Sequence, residues 1–215
     1  MGISEERAVP IPVSGEAFAL EGLYVAAGEP GAEVAGAVVA APHPLYGGSM
    51  DAPVVNELAH ACDRAGLATL RFNWRGVGAS AGVPSGEAGD ADADLAAALQ
   101  QMAETVSGSL VLCGYSFGAA AAARCAGREP RVRRLVLVAP PPSLLDREGL
   151  KGFPGRVLVL VGEHDALAPA AELDAFAAAS ERIELLVIPE ADHFFAFGLA
   201  ELGKRTFKFL GGDVG

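Results

Sequence analysis

Short apolar runs and longer amphipathic stretches alternate along this chain. Residues 17–26 alternate with period two and predict an early strand, with a turn at Gly28 to Gly31. Residues 34–41 (VAGAVVAA) are apolar throughout, the pattern of a strand covered on both faces. Over residues 52–64, Val54, Val55, Leu58, Ala59 and Cys62 fall on one helical face, and Asp51 stands where it would cap that helix. The alternation then repeats. Strands are predicted at 67–72, 110–114, 132–139, 157–162 and 183–189, and helices at 90–106, 119–125, 170–179 and 199–210. Such an order implies a mostly parallel central sheet with helices on both faces. The length of 215 residues suits one domain, 1–215, better than two. Residues 140–154 are proline-rich and irregular, too short for a full lid domain. In an open parallel sheet, chemistry gathers where strands end, so the residues that follow each strand are the ones that matter.

After the predicted strand 110–114 comes Gly114-Tyr115-Ser116-Phe117-Gly118, a G-x-S-x-G run straight into AAAAAR. The serine of such a motif sits on a tight, strained turn between strand and helix, and larger side chains two positions either side would clash. The turn presents the hydroxyl at a helix N-terminus, with the Phe117 amide aimed where negative charge develops on an oxyanion. The five-letter pattern alone is weak; its strand-to-helix context gives it weight.

A serine hydroxyl needs a base to take its proton. His60 lies inside a predicted helix, His43 follows the second strand and His164 precedes Asp165, whereas His193 follows the last strand in PEADHFF. His193 is therefore the expected base. The base in turn needs a carboxylate that fixes its tautomer. Asp165, in GEHDALAP, leaves the C-terminal end of a core strand; Glu163 and Asp192 are rivals. The chain order Ser116, Asp165, His193 is that of α/β-hydrolases. The loop HPLYGGSM after the second strand supplies the second oxyanion donor, and Leu45 is preferred because Pro44 has no N–H. Tyr46, Trp74, Tyr115, Phe117, Phe194 and Phe195 all follow strands. They either line an apolar substrate pocket, with Tyr46, Trp74, Tyr115 and Phe194 the leading candidates, or fill core.

Other signals are weaker. Gly76 to Ala81 fits G-x-G-x-x-A, but glycines and a proline follow it instead of a helix, so it reads as a structural loop, with Arg75 expected to brace the oxyanion loop. Asp90, Asp92 and Asp94 begin like a calcium loop but lack its glycine and final glutamate, and read as a solvated acidic helix start. No cysteine or histidine spacing suggests a metal, and nothing calls for a cofactor.

Charge narrows the partners. The net charge of −11, from 27 acids and 16 bases, repels phosphates and anionic lipid heads, so neither nucleic acid nor membrane is an expected partner. The N-terminus lacks a basic region followed by an apolar run, and three cysteines in apolar surroundings read as free buried thiols; both suit a cytoplasmic protein. A homodimer is left open.

Residues 43–51 (HPLYGGSMD), 71–80 (RFNWRGVGAS), 114–118 (GYSFG) and 191–195 (ADHFF), in that order, resemble a family of small lidless bacterial α/β-hydrolases related to the dienelactone-hydrolase-like and acylaminoacyl-peptidase-like groups. The resemblance spans nearly the whole chain. It implies an α/β-hydrolase fold, Ser116, Asp165 and His193 as the triad, and the Leu45 and Phe117 amides as the oxyanion hole. A dienelactone hydrolase proper resembles one with a cysteine nucleophile, so Ser116 points away from that assignment. The expected activity is hydrolysis of a small-molecule carboxylic ester, short-chain because no lid encloses the site, through an acyl-serine. A thioesterase or peptidase using the same triad, and a catalytically silent scaffold that binds a ligand or partner, are the alternatives.

Overall fold

The computed structural model describes residues 5–27 and 35–211. The predicted turn at Gly28 to Gly31, and Val34 at the start of the second predicted strand, lie outside that range. Eight strands form one sheet: β1 (Glu6–Pro12), β2 (Ala19–Val25), β3 (Gly36–Ala40), β4 (Ala68–Phe72), β5 (Leu110–Tyr115), β6 (Val132–Val138), β7 (Arg156–Gly162) and β8 (Ile183–Ile188). Their spatial order is β1-β2-β4-β3-β5-β6-β7-β8. β1 and β2 form an antiparallel hairpin, and β2 meets β4 antiparallel; every other pairing is parallel. The helices are α1 (Pro53–Arg64), α2 (Ala88–Thr105), α3 (Phe117–Cys125), α4 (Arg147–Gly152), α5 (Ala170–Ala177) and α6 (Leu199–Phe209).

The order of strands sets the position of the site. From β3 the chain crosses to β4 on one side, then returns past β3 to β5 and continues outward to β8. Crossovers are right-handed, so reversing direction puts α1 on the opposite face from α2 and α3. Accordingly α1 packs with α6, and α2 with α3. The direction switches between β3 and β5, the place at which an open parallel sheet of this kind forms its crevice. β3 and β5 are buried along their whole length, which explains their uninterrupted apolar sequence.

Four local departures have physical causes. β1 was not anticipated: its sequence ERAVPIP carries two prolines and two charges, which suit an edge strand with only one neighbour. Residues 140–154 are not irregular throughout, because Asp146 caps the short α4 by accepting from the Gly149 amide at 2.9 Å. Asp51 does not cap α1; Pro53 occupies an opening position of the helix, Ala52 becomes the cap residue, and Asp51 pairs with Arg71 at 3.2 Å. α3 begins at Phe117, two residues earlier than predicted, since the serine turn feeds directly into it.

The aspartates at the start of α2 are not a solvated helix start. Asp94 is 1% exposed and binds Arg75 through both its oxygens, while Asp92 takes Arg124 and Arg128 at 2.8 and 2.9 Å. Arg75 also reaches Asp90, and its guanidinium is held above its usual range chiefly by the hydrogen bond to Asp94. Arg75 thus anchors α2 and leaves the oxyanion loop to other residues. All three cysteines are free and buried.

Candidate active site

The turn at Ser116 follows from steric necessity. Ser116 has φ 53° and ψ −114°, a conformation rare for a residue with a side chain. Its amide donates to Val138 O at 2.8 Å, tying the turn to β6. A Cβ at Gly114 would collide with the Gly118 carbonyl, and one at Gly118 would lie 2.5 Å from the carbonyl oxygens of Ala40 and Ala41. Both glycines are therefore required for α3 to start against the ends of β3 and β5. The next five residues, Ala119 to Ala123, are buried and small, so the helix sits close to the sheet.

Three loops then meet. His193 Nε2 lies 3.1 Å from Ser116 Oγ, and His193 Nδ1 lies 2.9 and 3.0 Å from the two oxygens of Asp165. The Asp165 side chain is fully buried and that of His193 nearly so. Burial pushes the Asp165 carboxyl up most strongly, but the His193 hydrogen bond, the amides of Ala168 and Leu167, and the His193 charge together hold it below its ordinary value. Each amide donates to Asp165 Oδ1 at 2.8 Å. A carboxylate so fixed keeps the Nδ1 proton on its own side of the ring and leaves Nε2 free to accept from the serine.

The acid and base loops are joined by backbone. The His164 amide donates to Ala191 O at 2.8 Å and the Glu163 amide to Ile188 O at 3.0 Å. The rivals are occupied elsewhere. Glu163 accepts from the Glu190 amide, and Asp192 accepts from the amides of Phe194 and Ala196. His60 and His164 are exposed. Glu163, His164 and Glu190 each bring one ligand-type atom within 4.8 Å of the others, all at the surface.

Two of the four aromatic residues expected to bind substrate do other work. Trp74 is 1% exposed, and its Nε1 donates to the carbonyls of Ala41 and Pro42 at 3.0 and 3.1 Å, bracing the oxyanion loop in the role expected of Arg75. Tyr115 is buried, and its hydroxyl donates to the His193 carbonyl at 2.9 Å. Burial, then the charges of Asp165 and Asp192, push its pKa up to about 12, so it stays a donor throughout the working pH range. Tyr46 and Phe194 are well exposed, and Phe117 and Phe195 join Trp74 and Tyr115 in the core. A tyrosine flanking the serine and a tryptophan two residues past β4 carry the same sequence signature whether they face substrate or scaffold, so sequence alone did not separate the roles.

The two expected oxyanion donors are unequal. The Phe117 amide opens α3, where a helix leaves its first N–H groups without internal partners. The Leu45 amide instead donates to His43 Nδ1 at 3.2 Å, capping a 3₁₀ turn at Pro44–Tyr46. The His43 ring packs 4.6 Å from both Tyr46 and Phe117, and burial lowers its pKa, which keeps the ring neutral as an acceptor. Asn73 adds a second brace by accepting from the Met50 amide at 2.8 Å.

Known proteins agree with this architecture. The sequence profile described as serine aminopeptidase, S33, matches residues 35–145, just over half of the chain. An uncharacterized protein of Rickettsia prowazekii, RP471, is 32% identical over 203 residues, covering 89% of this chain and 84% of that one. A solved α/β serine hydrolase homologue from Coxiella burnetii is 32% identical with a TM-score of 0.81, covering 98% of this chain and 99% of that one. XC6422 from Xanthomonas campestris, described as an α/β serine hydrolase without a lid, is 28% identical with a TM-score of 0.78, covering 96% and 94%. The chain belongs to the serine aminopeptidase S33 family and shares the fold of the α/β serine hydrolases from Coxiella burnetii and Xanthomonas campestris, the latter without a lid.

Proposed function

We propose that this protein hydrolyses carboxylic esters through an acyl-serine at Ser116. The observation that carries the reading is the continuous chain from Asp165 through His193 to Ser116, with contacts of 2.9 and 3.1 Å. His193 Nε2 takes the Ser116 proton as Oγ bonds to the ester carbonyl carbon, and the carbonyl oxygen becomes an oxyanion facing the Phe117 and Leu45 amides. The imidazolium then gives its proton to the departing alcohol. Water, deprotonated by His193, attacks the acyl-serine, and the acid leaves with the hydroxyl of Ser116 restored. Trp74, Tyr115 and Phe195 are buried in the core and unavailable to wall a deep acyl channel, which supports a preference for short acyl chains.

A fluorophosphonate probe tests the reading: it labels the protein, and Ser116→Ala abolishes labelling. Acetyl to butyryl p-nitrophenyl esters turn over faster than decanoyl esters. An unlabelled wild-type protein sinks the hydrolase reading in favour of a silent scaffold. Faster decanoyl turnover sinks only the short-chain preference. The same triad could serve thioesters or amides, so matched thioester and anilide substrates belong in the panel, and a higher kcat/KM on either displaces the ester.

A further inference from the structure

The exposed apolar side chains are distributed unevenly. Eight large hydrophobic residues are well exposed among the described residues, and seven of them stand on loops that leave the C-terminal ends of strands. Leu45 and Tyr46 follow β3, Val83 follows β4, Leu144 follows β6, Leu167 follows β7, and Phe194 and Phe197 follow β8; the eighth, Val187, lies within β8. The loops at the opposite edge of the sheet carry none within the described range. The apolar surface therefore surrounds the one edge at which Ser116, His193 and Asp165 meet, a concentration that single scattered residues do not produce.

Charge at that edge is equally one-sided. Across the loops 41–52, 73–87, 139–146, 163–169 and 189–198 the sole lysine or arginine is Arg75, and Arg75 is buried against Asp94 and Asp90. The same loops hold seven aspartates and glutamates. Glu163 and Glu190 stand exposed beside each other, two residues before Asp165 and three before His193 respectively, and Glu87 is exposed on the β4 side. A carboxylate or phosphate on a substrate would meet repulsion at this mouth and find no free cation in these loops to receive it.

We propose that this rim is the specificity surface of the site and selects esters whose flanks are apolar and carry no negative charge. The inference rests on the esterase reading and deepens it: the acyl group bonded to Ser116 extends outward, so that its far end and the leaving group lie against the rim. The repulsion acts through solvent, so added salt weakens it.

The test compares three p-nitrophenyl esters of similar acyl length at pH 8: butanoate, which is neutral; hemisuccinate, which is anionic; and 4-(trimethylammonio)butanoate, which is cationic. At 10 mM salt the neutral and cationic esters exceed the anionic one in kcat/KM by about fivefold or more, and at 300 mM salt the gap narrows. The double variant Glu163→Gln, Glu190→Gln shrinks the neutral-to-anionic ratio at low salt by about twofold, because two of the repelling charges are gone. Leu167→Ser with Phe197→Ser raises KM for the butanoate by about threefold at unchanged kcat, the mark of a contact made equally in ground and transition states. Hemisuccinate turnover within twofold of butanoate at 10 mM salt, or a ratio that neither salt nor the glutamine pair moves, overturns the inference and leaves the esterase reading standing. Failure to turn over any of the three, together with absent fluorophosphonate labelling, overturns both.

Discussion

Tyr115 is the residue whose role changed most between sequence and structure, and Tyr115→Phe isolates it. The substitution keeps the ring, its edge contact with Phe195 at a centroid distance of 6.5 Å, and the strand β5 backbone. It removes one hydroxyl, which donates at 2.9 Å to the His193 carbonyl. Losing a buried hydrogen bond and leaving that carbonyl without its donor costs about 1.5 kcal/mol. For a chain of 215 residues this corresponds to a fall in Tm of about 3–6 °C. The effect on chemistry is separate. His193 must keep its Nε2 within reach of Ser116 Oγ, now at 3.1 Å, and a displacement on the order of 1 Å at a reacting group costs up to ~10²-fold. A loop released at one of its anchors shifts by less, so the expected loss is about tenfold in the rate of fluorophosphonate labelling, with the affinity for the probe retained. Labelling measures nucleophile activation directly and does not depend on knowing the natural substrate. Calorimetry and time-resolved labelling on the same preparation supply both numbers. A variant that melts several degrees lower yet labels within twofold of the parent would show that Tyr115 only packs, and the positioning argument would fall.

Two further outcomes follow from the same geometry. Gly118→Ala forces a methyl group to within 2.5 Å of two backbone carbonyls at the end of β3, so either α3 or β3 must move; a stability loss of about 2–4 kcal/mol is expected, read as a Tm shift or as loss of soluble protein, and near-parental stability would contradict the close packing of that turn. Asp165 is held below its ordinary pKa, so its contribution to stability is complete above the unfolded value of about 3.9 and is lost as pH falls through the lower folded value. Asp165→Asn removes that contribution: the drop in Tm between pH 5 and pH 3 shrinks relative to the parent, while labelling at pH 7 falls by about 10⁴-fold because the imidazole loses its orienting acceptor. An unchanged acid-side drop would mean that other carboxylates govern acid unfolding.

The central strands were legible because both faces of β3, β5, β6 and β7 lie under helices, and a strand covered twice has no reason to carry polar residues. β1 was not legible for the converse reason: as an edge strand it tolerates Pro10 and Pro12 and needs only the ladder from β2. Ser116 could be found from two glycines because the turn excludes Cβ atoms at both. The convergence of Asp165 and His193 on Ser116 was legible because each stands just past a strand that ends at the same edge. The supports of the site were harder to read. Trp74 and Arg75 are neighbours, yet Trp74 holds the oxyanion loop and Arg75 holds α2 through Asp94, nineteen residues further along the chain. Alternation of side chains at a strand end decides which of two adjacent residues faces which layer, and an error of one residue in register exchanges their partners.

The two halves of the site are held by different means, and the difference bears on catalysis. The acid and base loops are tied by backbone hydrogen bonds, and Gly162 lies so close to the Ala191 carbonyl that a side chain could not fit between them. That half needs no rearrangement to work, because the contacts from Asp165 to Ser116 are already formed. The oxyanion half depends on side chains from β4 and the loop after it, namely Trp74, Asn73 and Arg71, the last of which donates to Met50 O at 3.0 Å. Its Leu45 amide already has a partner in His43. In the mechanism proposed above, an incoming carbonyl oxygen uses the Phe117 amide at once, but it must share or displace His43 to gain the Leu45 amide as second donor. Charge on that oxygen grows only as the serine attacks, and a developing oxyanion is a stronger acceptor than a neutral imidazole nitrogen. For the proposed ester substrate the exchange would favour the transition state over the bound ester, which is the condition under which a hydrogen bond accelerates a reaction and does more than hold its substrate.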